Sequence, residues 1–183
     1  MRFTETEIKG VFIIEPELLK DERGFFARTF CQREFAAHGL KTELRQCNIS
    51  YNQQKGTLRG MHYQAKPYEE AKLFRCFRGA IYDVVIDLRT DSLTFKQWLG
   101  VELTAQNRRR LYIPEGFAHG FQTLEDNTEV FYYMFEFYHP ESARGVLWDD
   151  PVFGIEWPHV ERRIIAEKDL NHPNFESLSF LSG

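Results

Sequence analysis

Two segments of the 183-residue chain concentrate side chains that move protons and hold negative charge. The first runs Gly56-Thr57-Leu58-Arg59-Gly60-Met61-His62-Tyr63-Gln64, and Lys72 follows ten residues after the histidine. The second is Pro114-Glu115-Gly116-Phe117-Ala118-His119-Gly120. An imidazole is the side chain whose ordinary pKa lets it serve as a base near neutral pH. A fixed ammonium stabilises a developing oxyanion much as a Lewis-acid metal does. A metal centre needs three or four His and carboxylate ligands converging on one cation, and an ammonium among them would repel a divalent ion. Side chains of these types could abstract a proton and hold the negative charge that results. His38, His139, His159 and His172 read as satisfied structural residues, and Asp83 and Asp87 as structural partners within a strand.

The elements that must position these groups are mostly strands. The 17 Phe and 8 Tyr recur in short runs broken by turn residues, a pattern of β structure. Strands are expected at Val11–Glu15, Leu73–Phe77, Ala80–Asp87, Trp98–Leu103, Arg110–Ile113, Gly120–Thr123 and Glu129–Tyr138. Arg78-Gly79, Gln106-Asn107 and Asp126-Asn127 read as hairpin turns between them. Helices are expected at Gln32–His38, stopped by Gly39, and as a short piece within Glu161 to Asp169. Many short strands at roughly ten-residue spacing predict an all-β sandwich or barrel, of which the jelly roll is one form. With no repeat, low-complexity stretch or linker, residues 1–183 read as one domain.

Composition narrows the function. A net charge of −4 gives no electrostatic footprint for nucleic acid, and no apolar run approaches the ~20 residues of a membrane helix. Three cysteines without a C-x-x-C pair fit reduced thiols. With a polar N-terminus that carries no apolar signal region, they predict a cytoplasmic protein.

The two segments resemble the motifs of the cupin superfamily. Gly56 and His62 keep the spacing of its first motif, and Pro114, Gly116 and His119 match the second. The second histidine of the first motif is Gln64, and its Glu, seven positions before Gly79, is Lys72. The phrases LRGMHYQ, DVVIDLRTDS, TFKQW, IPEGFAHGF, Tyr138-His139-Pro140-Glu141 and AEKD sharpen this. From about Gly10 to Pro173 the chain resembles the dTDP-4-dehydrorhamnose 3,5-epimerase family.

That resemblance implies a cupin jelly-roll β-barrel with short flanking helices, free of metal and cofactor. It implies a substrate that is a nucleotide-linked 4-keto-6-deoxy sugar, epimerised at C3 and C5 in deoxysugar biosynthesis. Carried over, His62 is the general base paired with Asp169, Tyr132 the general acid, and Lys72 the holder of the C4 ketone oxygen. Arg59 and His119 contact diphosphate and sugar; Arg23, Phe26, Gln46, Asn48 and Lys168 make further substrate contacts; Tyr138 stacks on the base. Strand alternation puts Tyr132 and Tyr138 on one face and Tyr133 on the other. The resemblance also implies a homodimer in which the Arg23–Phe26 segment reaches the partner's site.

The chain departs from the family pattern where Arg28 and Ala143 stand in place of two glutamates, and Pro67-Tyr68-Glu69-Glu70-Ala71 precedes Lys72 in place of the commoner Gln-Gly-Lys wording. Changed acceptors on the nucleotide side predict altered nucleotide or sugar recognition. The alternatives are a single-centre epimerase on another nucleotide sugar, a keto-sugar isomerase, a non-catalytic sugar-nucleotide-binding cupin and a metal-dependent oxygenase.

Overall fold

The computed structural model describes residues 1–177. Strands β1 (Arg2–Glu5) and β2 (Phe12–Glu15) pair as a hairpin, and β3 (Leu19–Asp21) and β4 (Gly24–Phe26) form a separate one. Helix α1 (Gln32–Ala37) precedes β5 (Gln46–Asn52), β6 (Thr57–Gln64), β7 (Lys72–Arg78), β8 (Ala80–Asp87) and β9 (Trp98–Thr104). There follow β10 (Arg110–Ile113), β11 (Phe117–Thr123), β12 (Thr128–Met134), β13 (Ala143–Gly145), β14 (Ile164–Ile165) and α2 (Glu167–Leu170). Sheet one has the order β1-β2-β10-β7-β12-β5; sheet two has β13-β6-β11-β8-β9, with β14 alongside β6. All pairings are antiparallel except β14 with β6. This is the all-β cupin jelly roll with short flanking helices.

Three apolar clusters hold the layers. Phe74, Cys76, Leu111 and Val130 of sheet one meet Ile81, Val85, Leu103 and Phe121 of sheet two between the sheets. Phe35 of α1 packs with Leu73, Tyr112 and Phe135 on the outer side of sheet one. Phe153 and Phe175 from the C-terminal segment cover Met61, Val84 and Ile86 on the outer side of sheet two. Because both faces of sheet two are covered, β11 is buried at every position, its polar His119, Gln122 and Thr123 included.

The turns differ from expectation. Gly79, Asn107 and Asn127 do lie at reversals, but none closes a hairpin. Each carries the chain from one sheet to the other: β7 to β8, β9 to β10, and β11 to β12. Left-handed residues, Gly79 (φ 75°), Arg108 (φ 55°) and Asn127 (φ 54°), fix the local reversal without stating which sheet receives the next strand. The strand expected at Glu129–Tyr138 ends at Met134. The expected C-terminal helix shrinks to α2, since Ile164 and Ile165 join the ladder of β6.

One irregularity decides what β6 presents. His119 of β11 faces His62 and Phe121 faces Arg59, so two residues of β6 oppose the single residue Gly120. A bulge of this kind re-aims side chains: Arg59 and His62, which strict alternation would put on opposite faces, both line one cavity. Met61 goes the other way, into the outer core. Gly60 has φ 134°, and a Cβ there would sit 2.6 Å from the Cα of Gly120. Gly60→Ala is expected to cost about 2 kcal/mol or more of stability, since a left-handed backbone and a backbone clash both oppose it. Urea denaturation of wild type and variant measures this.

Candidate active site

Where the intersheet core stops, the barrel holds a cavity of about 870 Å³. Sheet one supplies Gln46 and Asn48 from β5, Lys72 and Phe74 from β7, and Tyr132 from β12. Sheet two supplies Arg59 and His62 from β6 and His119 from β11, and the C-terminal segment adds Lys168 and His172. Tyr138 closes the rim, its backbone N–H donating to Gln46 Oε1 at 2.6 Å. His62 and Tyr132 thus come from opposing sheets.

His62 Nε2 lies 2.8 Å from Asp169 Oδ1. Asp169 is 1% exposed, and its Oδ2 accepts the Gly60 N–H at 3.2 Å. Burial by itself pushes the Asp169 carboxyl up, but the His62 hydrogen bond and charge, the Gly60 N–H and Lys168 together hold it below the usual carboxylate range. An ionised Asp169 accepts a hydrogen bond from the His62 Nε2–H, which leaves Nδ1 as the nitrogen with the free lone pair. His119 makes a second pair, its Nε2 2.7 Å from Asp83 Oδ1.

Across the cavity, the Tyr132 ring stacks on Phe74 at 4.5 Å, with 5° between planes. Burial first, and then the charge of Glu70, push its phenol above the ordinary value, while Arg59 opposes them. Tyr132 therefore stays protonated through the neutral range. Tyr133 points to the outer side, against Phe131 and Phe30, as alternation requires. Lys72 Nζ sits 2.6 Å from Glu70 Oε1, and Arg59 Nε donates to Asn52 Oδ1 at 2.8 Å.

The cavity gathers His62, Tyr132, Lys72, Gln46, Asn48, Arg59, His119, Tyr138 and Lys168, with Asp169 behind His62. It does not gather Arg23 or Phe26. These lie on the exposed β3–β4 hairpin, where Arg23 pairs with its neighbour Asp21 at 2.6 Å and Phe26 is 69% exposed. Arg28 pairs with Glu34 of α1 at 3.1 Å, whereas Ala143 lines the cavity.

Sequence reasoning missed two residues here. His172, read as structural, lies 3.5 Å from Asp169 and edge-on to His62 at 5.5 Å. Burial, then the charge of His62, lower its pKa and favour its neutral form. Only its place three residues after Asp169 hinted at this. Glu70 is the other; its signal was a carboxylate two residues before the lysine.

The donor atoms of His62, Asp169 and His172 lie within 4.8 Å of one another, a spacing compatible with a cation. Both Asp169 oxygens are already accepting hydrogen bonds, however, and Lys72 lines the same cavity. Gln64, at the remaining cupin ligand position, is spent on loop structure. It donates to the carbonyls of Tyr68 and Phe137 at 2.8 and 3.0 Å and accepts the His139 N–H at 2.6 Å. The donor set suits an oriented base better than a metal.

Two outcomes are expected of Asp169→Asn. Activity falls about 10²- to 10⁴-fold, the range for a positioned base that loses its orientation. The second concerns stability. The folded pKa of Asp169 is below its unfolded value near 3.8, so its contribution is full above that pH. It is lost as pH falls through the folded pKa. The stability gap between wild type and variant should therefore be flat above about pH 4 and close below it, as read from denaturation curves across pH 2–7.

The chain matches the family model described as dTDP-4-dehydrorhamnose 3,5-epimerase over residues 5–177. It is 47% identical to the Shigella flexneri enzyme of that name over 176 residues, 96% of each chain. The crystal structure of the Elizabethkingia anophelis enzyme superposes with a TM-score of 0.93 at 39% identity, covering 96% of this chain and 97% of that one. A Legionella pneumophila dTDP-6-deoxy-D-glucose-3,5-epimerase, solved in complex with dTDP-4-keto-L-rhamnose, superposes at 0.91 with 37% identity, covering 97% and 94%. An oriented His–Asp base facing a tyrosine, in a jelly roll with this much shared sequence, leads to one conclusion: the chain belongs to the dTDP-4-dehydrorhamnose 3,5-epimerase family, whose members are isomerases.

Proposed function

We propose that this chain, as one cupin domain, inverts C3 and C5 of a dTDP-linked 4-keto-6-deoxyhexose on the way to a rhamnose-type sugar. One observation carries the reading: His62 with Asp169, and Tyr132, sit on opposite walls of one cavity, with Lys72 lining the same space. A carbon beside a ketone gives up its proton only slowly to water. His62 Nδ1 takes that proton, the C–H electron pair forms the C=C bond to C4 while the carbonyl π pair moves onto the C4 oxygen, and the Lys72 ammonium holds the resulting enolate. Tyr132 then protonates the carbon from the other side, which inverts it, and solvent restores both side chains. C3 and C5 flank the same carbonyl, so one oxyanion donor serves both. Every step uses a side chain of the protein and none needs a cofactor.

Arg59, His119, Gln46, Asn48 and Lys168 would hold the diphosphate and sugar, and Tyr138, exposed at the rim, would stack on the base. Thymine is the base the relatives' names specify; Ala143, which lines the cavity, is where a different preference would enter.

The protein would act as a cytoplasmic homodimer. No described helix is long and apolar enough to cross a membrane, and Cys31, Cys47 and Cys76 are unpaired. The outer face of sheet one exposes Ile49, Tyr51 and Phe77. It also carries Arg110, whose buried Nη1 and Nη2 lack a hydrogen-bond partner and whose guanidinium burial pushes down to about 10. A second copy against this face would cover the apolar groups. The protruding β3–β4 hairpin would then bring Arg23 and Phe26 to the partner's cavity.

Incubation in heavy water with 4-keto-6-deoxyglucose linked to dTDP, CDP, GDP or UDP tests the chemistry. Two deuterons, at C3 and C5, are expected on the dTDP sugar. One deuteron would make the protein a single-centre enzyme, and none on any substrate would leave a binding protein. His62→Asn should abolish exchange, and Lys72→Met should lower kcat about 10²- to 10³-fold. Tyr132→Phe should still exchange protons but largely fail to invert.

Subunit mixing tests the dimer. Arg23→Ala and His62→Asn chains, each nearly inactive alone, should regain up to about a quarter of wild-type activity when refolded together, because each mixed dimer holds one intact site. No recovery would place Arg23 outside the site.

A further inference from the structure

We infer that Glu70 is a specificity-determining residue, a carboxylate that accepts a hydrogen bond from the hydroxyl vicinal to the substrate ketone; this rests on the function proposed above. Glu70 precedes β7 and lines the cavity, with its side chain 7% exposed. Its Oε1 holds Lys72 Nζ at 2.6 Å. Its Oε2 is buried and has no hydrogen-bond partner. A carboxylate has about four acceptor sites, and the protein fills few of them here. Such an acceptor is under-satisfied until a ligand brings a donor.

The donor's identity follows from the chemistry. If Lys72 holds the C4 oxygen, the carboxylate lies one hydrogen bond from the ammonium and so beside the C3–C4 edge of the sugar. In a 4-keto-6-deoxyhexose, C5 bears a hydrogen, a methyl group and the ring oxygen. The only hydroxyl next to the ketone is that on C3. Vicinal oxygens are separated by about one hydrogen-bond length, roughly 2.8 Å, which matches the reach from Lys72 Nζ to Glu70. The last torsion of a glutamate is soft. The carboxyl group can therefore turn an oxygen to the cavity while keeping its contact with Lys72.

Two roles follow for one side chain. Toward Lys72, Glu70 is a counter-ion that fixes where the ammonium sits. Toward substrate, it is a filter, because a sugar lacking the C3 hydroxyl leaves a buried carboxylate oxygen unfilled. Sites built to bond a substrate hydroxyl reject the analogue without it far more strongly than an apolar pocket does.

The test compares a dTDP-4-keto-6-deoxyhexose with its 3-deoxy analogue, following deuterium incorporation at C5, which both share. Wild type is expected to favour the 3-hydroxy sugar in kcat/KM by about 100-fold or more. In Glu70→Ala the preference should fall below about tenfold, and Glu70→Gln, which keeps one acceptor oxygen, should lie between. If Glu70 only positions Lys72, both variants lose rate equally on the two sugars and the preference stays, which overturns the inference. Should Glu70→Ala fail to fold, the Glu70→Gln ratio alone decides it. Wild type that exchanges neither sugar would instead sink the epimerase reading itself.

Discussion

The architecture turns on a buried carboxylate. Asp169 is almost inaccessible to water, and an unpaired charge in that position would be strongly destabilising. It is tolerated because each oxygen has a donor: the His62 ring on one, the Gly60 N–H on the other. Those two contacts clamp the C-terminal α2 onto β6 and define which imidazole nitrogen is free. The Gly60 N–H is available because β6 bulges there, and the bulge is possible because Gly60 and Gly120 let two backbones approach closely. The orientation of the base, the docking of the C-terminal segment and the irregular strand are one coupled solution.

The opposing wall obeys a different constraint. Tyr132 and Lys72 lie on adjacent strands of sheet one, where Tyr132 pairs with Phe74 and Met134 with Lys72. A phenol and an ammonium two positions apart on neighbouring strands are held by the ladder, not by loops. The jelly roll supplies two rigid walls, and inversion requires groups on both. The same crossing turns that carry the chain between sheets put His62 and Tyr132 on opposite walls.

Much of this was legible in the sequence. The span of β8 and of β10 could be read off residue by residue. The family pattern named Tyr132, and alternation set it apart from Tyr133 even though the strand stops at Met134, short of the Tyr138 whose parity was used. What was hidden is what depends on tertiary context. Turn residues announced reversals at Gly79, Asn107 and Asn127 but not the change of sheet. Alternation misplaces Arg59 relative to His62, because a bulge adds a residue that no local pattern flags. His172 and Glu70 carry no distinctive spacing; they matter only because folding brings one to Asp169 and leaves the other with Lys72. Arg23 and Phe26 could be named as site residues from the family resemblance, yet one chain does not bring them to its own cavity.

The electrostatics of the cavity suit Tyr132 to the part of the acid in the proposed reaction. A group that donates a proton at neutral pH must be protonated, and burial with Glu70 nearby keeps the Tyr132 phenol so. A raised pKa would weaken it as an acid toward water. Toward an enolate carbon, a far stronger base, the transfer remains favourable and the loss of driving force is small. The phenolate that forms is then the species burial penalises, and Arg59, which acts on Tyr132 in the opposite sense to Glu70, limits that penalty. Glu70 thus touches both sides of the proposed reaction, holding the Lys72 Nζ in place at 2.6 Å and raising the Tyr132 phenol. In the proposed reaction, one carboxylate beside the lysine would link the oxyanion holder to the proton donor, which gives a charged residue a use in a site whose substrate would itself be an anion.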